Sequence, residues 1–170
     1  MYSGSTLILA GLVLIVMCVA VSAASKRPGA AWNYYHFDGR GFVAGQPPDG
    51  GPFLAVRDHV LPVEMSRAVK IEAVSLPKNK GAIAGICYIQ SSGGKLEGGR
   101  GYAPCPRTTI TISSGNTVVT SMLSDENGYF VAILAAGSYR VGSGAFAVEA
   151  LVEKGTTVLV PLRAGKRMVD

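Results

Sequence analysis

The side chains of this sequence that could do chemistry fall into three small groups. His36 and Asp38 stand two apart in YYHFDGR, and Asp58 and His59 adjoin in VRDHVLP. A His and an Asp two apart on an extended segment share one face, which is the minimum for a weak metal site or an acid–base pair. Neither pair has a third ligand or a nucleophile beside it, and neither histidine lies in an HxxE or HExxH arrangement. A GxSxG nucleophile turn is absent. The glycine-rich stretches GRGFVAG and GGRGYAP lack the lysine and spacing of a phosphate loop. These residues predict no catalytic group, no metal and no cofactor, with both His/Asp pairs as solvated polar side chains.

The second group is the cysteines. Cys18 lies inside an apolar run behind Met17, where a lipid-attachment site wants a small residue. Cys87 and Cys105 have no histidine or third cysteine near them, so a tetrahedral zinc site lacks ligands, and no CxxC redox motif occurs. In an exported protein they would form a disulfide; otherwise they are two buried thiols.

The third group is SDENGYF, Ser124 to Phe130. Asp125, Glu126 and Asn127 could be read as calcium ligands, but calcium takes about six to eight oxygens, and this stretch lacks the spacing of an EF-hand loop. Asn-Gly between two apolar runs is a hairpin signal. The expectation is a structural turn: Ser124 and Asp125 cap backbone donors, Asn127 and Gly128 accept left-handed geometry, and Phe130 starts the next strand pointing inward.

The segments that must position these groups begin with residues 7–24, LILAGLVLIVMCVAVSAA, which carry no charge. Residues 1–24 read as an apolar helix of targeting or spanning length. Val21, Ser22 and Ala23 supply the small residues of a signal-peptide cleavage site. The first basic residues, Lys26 and Arg27, come after the run, so an uncleaved anchor in either orientation stays open. The expected location is extracytoplasmic: periplasmic, secreted or membrane-anchored. The net charge of +5 is scattered in ones and twos with no basic stripe, which argues against nucleic acid.

Residues 25–80 form an arm rich in Gly, Pro and aromatics, expected to be mostly irregular with short strands, RAVKIEAV among them. Its aromatics Trp32, Tyr34, Tyr35, Phe37 and Phe42 could dock on a partner, stack on sugar rings, fold back over the rest of the chain or sit at a membrane surface. From residue 81 the texture turns regular. GAIAGICYIQ, RTTITISS, NTVVTSML, YFVAILA, GSYRVGSG, AFAVEALVE and TTVLVPLRA recur between Gly, Asn and Ser punctuation with no helical period. About seven short strands at this spacing predict an all-β, antiparallel β-sandwich over residues 81–164, with 165–170 a basic, solvated tail.

The succession GAIAGICYI, APCPRTTITI, TSMLSDENGYFVAILAAGSYRV and FAVEALVEKGTTVLVPL resembles the carboxypeptidase regulatory-like domain over about residues 81–162. Gly85, Thr108 to Ile112, Ser124 to Phe130 and Gly137-Ser138-Tyr139-Arg140-Val141 stand where that family has its first-strand glycine, second strand, turn and Gly-x-Tyr-x-Val strand. The resemblance implies a transthyretin-like β-sandwich, the accessory domain that follows the catalytic one in some metallocarboxypeptidases, with no peptidase chemistry of its own. Pro104-Cys105-Pro106-Arg107 and the insertion SSGGKLEGGRGY depart from the pattern around the first connection. The expected function is non-catalytic: an envelope module for protein interaction, adhesion or assembly. Its expected partner is another envelope or extracellular protein, or a glycan, with the membrane engaged through residues 7–24 if these are retained. A carbohydrate-binding accessory protein is the alternative, and a small hydrolase at His36 or His59 a more distant one.

Overall fold

A computed structural model of the chain describes residues 31–66, 70–92, 101–142 and 144–168. The apolar segment 7–24, with its cleavage or anchor reading, lies outside them. In chain order the strands are β1 (Asn33–Phe37), β2 (Phe42–Ala44), β3 (Phe53–Val56), β4 (Val63–Met65), β5 (Lys80–Ser92), β6 (Tyr102–Pro104), β7 (Thr109–Ser114), β8 (Thr117–Leu123), β9 (Tyr129–Ala135), β10 (Gly137–Val141), β11 (Val148–Val152) and β12 (Thr157–Met168). The described residues contain no α-helix, so none that could cross a membrane.

The seven segments expected after residue 80 are β5 and β7 to β12, and they build a β-sandwich. One sheet has the order β11-β10-β7-β8. The other centres on β5, whose one edge carries β9 along Lys80–Ile86 and then β6 along Tyr88–Gln90, both antiparallel. The opposite edge carries β12 in parallel, from Thr157 against Ala82 to Met168 against Ser92. The sandwich is therefore not wholly antiparallel, as the sequence pattern had implied. Nor does the C-terminal tail begin at residue 165, because the backbone through Met168 continues β12. Between the sheets, Ile83, Ile110, Ile112, Phe130, Val141 and Val160 form the centre of the main core.

The arm is more ordered than its composition implied. It forms a third sheet, β2-β1-β3-β4, which lies on the outer face of the β5 sheet. Phe37, Leu54 and Val56 pack there against Ala84, Ile86, Tyr88 and Tyr129. The strand expected at RAVKIEAV is not present in its described part, residues 70–74. That stretch is a largely exposed connection in which Ile71 covers the small cluster of Phe53, Ala55 and Met65 on the far side of the third sheet. It meets a neighbouring backbone only at its end, where Val74 O accepts from Leu61 N–H at 2.8 Å and Ser75 bridges Val60, too short a contact to make a ladder.

The three layers explain β5. A strand covered on one face alternates, as Thr109, Ile110, Thr111 and Ile112 do in β7. A strand covered on both faces needs apolar residues at every position, and GAIAGICY is buried throughout except for Gly81's neighbour Lys80 at its start.

Candidate functional site

The SDENGYF turn joins β8 to β9 as the sequence predicted. Asp125 Oδ1 accepts from the backbone N–H of Asn127 at 2.9 Å and of Tyr129 at 2.8 Å. Ser124 Oγ accepts from Thr108 N–H at 2.9 Å and donates to the carbonyl of Cys105. Gly128 has φ +81°, and a Cβ there would stand 2.5 Å from the carbonyl oxygen of Cys87. Phe130 is buried in the main core. One partner of the turn had no signal in the sequence: Asn127 Nδ2 donates at 2.8 Å to Glu64 of β4, across the junction with the third sheet. Contacts between residues this far apart leave no local pattern. Burial, then a hydrogen bond with Asp125, push the Glu64 carboxyl up to about 7 against the opposing pull of Asn127.

His36 and Asp38 both border a cleft of about 270 Å³ that also involves Phe37, Asp49, Pro52 and Tyr102. Each is engaged locally. His36 Nδ1 lies 3.0 Å from the carbonyl oxygen of Gly45. Asp38 Oδ1 accepts from the N–H groups of Arg40 and Gly41, and these bonds hold its carboxyl below the usual range. His59 belongs to a different corner. Its backbone is left-handed, φ 62°, its N–H donates to Gly155 O at 2.6 Å, and its ring lies over Gly155. The two His/Asp pairs are thus not brought together, and each serves a turn.

Cys87 and Cys105 are brought together. Cys105 N–H donates to Cys87 O at 2.9 Å, both side chains lie in the main core, and both are thiols in this structure. Burial and the adjacent Cys105 thiol push the Cys87 thiol up to about 12.

The aromatics expected as a docking array are placed otherwise. Phe37 is buried, with ring centroids 4.5 Å from Tyr88 and 4.8 Å from Tyr102. Tyr35 and Phe42 pack on the same cluster, while Trp32 and Tyr34 cover Phe53 on the other side of the third sheet. None of the five is exposed. Tyr35, Phe37 and Phe42 fold back over the apolar outer face of the β5 sheet, whereas Trp32 and Tyr34 do not touch that face.

Exposed large apolar side chains occur at Val43, Val74, Phe146 and Leu151 and on strands β8 and β9. Strand β8 is the edge of its sheet and leaves Val118 61%, Val119 48% and Leu123 63% exposed. Val119 is the extra residue of a bulge, since Ile112 pairs with Thr120 and Ser113 with Val118. A cleft of about 400 Å³ separates β8 from β9 and is bordered by Val119, Thr120, Met122, Val131, Ile133 and Tyr139, and also by Lys80 of β5. Natural sheet edges are commonly guarded by charge or proline. Here β4 carries Glu64, β11 carries Glu149 and β12 carries Pro161 and Arg163, whereas TVVTSML in β8 and YFVAILA in β9 carry neither. The absence of charge in both runs was the signal available in the sequence.

No protein-family model matches the chain, and no curated protein matches it in sequence. Among solved structures, GBS52, the minor pilin of the Gram-positive pathogen Streptococcus agalactiae, is similar at 11% identity and a TM-score of 0.38, over 76% of this chain. The match spans 66% of that chain, just under two thirds of its length.

Proposed function

We propose that the chain is a non-catalytic β-sandwich module for protein interaction, adhesion or assembly at the cell envelope, exported or membrane-anchored. Residues 81–162 would be its carboxypeptidase regulatory-like part. The observation that carries the binding role is the pair of uncharged edges, β8 and β9, facing one cleft that Lys80 also borders. Such an edge offers unpaired backbone groups to a strand of a partner protein, and the cleft offers pockets for its side chains. The uncharged segment 7–24 and the Val21-Ser22-Ala23 site support the envelope location. The carbohydrate alternative needs a planar exposed aromatic array, and the inward packing of Trp32, Tyr34, Tyr35, Phe37 and Phe42 favours the protein partner.

The test is photocrosslinking in the native host with the full chain, from probes at Val118 and Leu123 and from a control probe at exposed Arg107. The expected result is one shared adduct from both β8 probes, absent from the control and lost when Val119→Lys places a charge on the β8 edge. Adducts of equal pattern from all three positions would overturn the reading.

In the same envelope setting we propose that Cys87 and Cys105 form a disulfide, joining Sγ to Sγ as two electrons and two protons pass to a disulfide-exchange oxidant. Protein from the host should then resist thiol alkylation and weigh two hydrogens less than after reduction. Both thiols labelled in freshly isolated, unfolded protein would refute the disulfide and count against export.

A further inference from the structure

The unpaired edge of β9 is short and has definite ends. Cys87 N–H donates to Gly128 O at 2.7 Å, and the register sets Gly85 against Phe130 and Ile83 against Ala132. The alternation of an antiparallel ladder then turns the backbone groups of Phe130, Ala132 and Leu134 toward β5, and those of Tyr129, Val131, Ile133 and Ala135 away from it. At one end Tyr129 is engaged by the turn: its carbonyl accepts from Asp125 N–H at 2.8 Å and its N–H donates to Asp125 Oδ1 at 2.8 Å. At the other, Ala135 O accepts from the Tyr139 hydroxyl at 3.0 Å. Between these ends the N–H and C=O groups of Val131 and Ile133 have no partner among the described residues.

The two faces of this edge differ. Ala132 and Leu134 turn inward, to the side where Met122 of β8 and Tyr139 of β10 border the cleft. Val131, Ile133 and Ala135 are exposed on the other face. Lys80 is paired with Ala135 in the register, so the two side chains share that face. Lys80 is half-buried, and among the described residues it is the one charged side chain bordering the cleft and has no ion-pair partner. A residue opposite Ala135 on an added strand would stand two strand spacings, about 10 Å, from Lys80, a span that a lysine and an acidic side chain close together across the methyl group of Ala135. A second copy of this chain pairing through its own β8 or β9 would bring no acidic residue in those strands.

Resting on the reading of β8 and β9 as a strand-binding cleft, we propose that its occupant is an extended segment of a partner protein that pairs with Val131 and Ile133, turns alternate apolar side chains into the cleft, and sets an acidic side chain opposite Ala135 to meet Lys80.

The probes that test it are capped peptides of alternating valine and threonine, identical except for a glutamate, glutamine or lysine at one end. Two sets carry the variable residue at opposite ends, since a guest strand can run in either direction. They are titrated into the full chain, with hydrogen exchange of the Val131 and Ile133 amides as the reporter of the seat. In one set the glutamate peptide should bind about threefold more tightly than the glutamine peptide, as a partly exposed ion pair allows, and the lysine peptide most weakly. That preference should fade at high salt, and Lys80→Glu should reverse its order. Ile133→Pro removes an outward N–H and leaves the β5 ladder whole, so it should abolish binding of every peptide. Protection of the two amides in the wild type gives the same information if that variant does not fold. Equal affinity for all three end residues, with both amides protected, would overturn the role of Lys80 and leave the strand-binding cleft standing. Neither binding nor protection by any peptide would sink both. Dimers of the chain alone that Ile133→Pro abolishes would assign the edge to a second copy and overturn the partner segment.

Discussion

Replacing Phe130 by alanine should cost about 3–5 kcal/mol in denaturant unfolding, with the slope against denaturant unchanged. Phe130 is 4% exposed and sits in the main core among residues of both sheets. Its ring fills a notch made by Gly85 of β5: a Cβ on Gly85 would stand 2.4 Å from the tip of that ring and 2.4 Å from the carbonyl oxygen of Val160 in β12. The neighbouring strands are fixed by the β5 ladder on both sides, so the space left by the ring cannot close by sliding. Gly85→Ala should by itself be destabilising, by roughly 1–3 kcal/mol. The two substitutions should couple. In the Phe130→Ala background, Gly85→Ala loses one collision and keeps the one with backbone at Val160, so its cost should shrink without vanishing. Strict additivity would show that the notch is not shared.

That notch was partly legible in the sequence, and the way it was legible separates what a single chain reveals from what it hides. Asp125 acts through backbone groups two and four positions away, and Gly128 through its own left-handed φ, so this part of the turn was written in local spacing. The strands β7 to β11 announced themselves by alternation and by Gly and Asn punctuation. GAIAGICYI did not alternate, and the lack of alternation was itself the sign of a strand covered on both faces. Read that way, it demanded a third layer, and the aromatic arm was the available material for it. The parallel placement of β12 beside β5 had no such signal, because register between the first and last strands of a sandwich depends on how the layers close. Glu64 against Asn127 was hidden for the same reason. The side chains with the most obvious chemistry, His36, Asp38 and His59, turned out to hold turns and a backbone corner. The edges β8 and β9 themselves carry no charged side chain.

Phe37→Ala should release the third sheet from the sandwich ahead of global unfolding. Phe37 is 5% exposed and is the aromatic around which Phe42, Tyr88 and Tyr102 assemble, at 5.9, 4.5 and 4.8 Å between ring centroids. Its removal costs this small cluster about 3 kcal/mol. The third sheet has four strands of three to five residues, too little to fold alone. The sandwich keeps its own core of Ile83, Ile110, Ile112, Val141 and Val160, none of which touches the lost ring. Loss of the docking contact should therefore split one transition into two. In the early one, protease should cut within residues 31–66 and an apolar dye should bind the uncovered face of Ala84, Ile86, Tyr88 and Leu159, while strands β5 to β12 stay resistant. A single later transition, with both regions cleaved together, would show instead that the arm and the sandwich unfold as one unit.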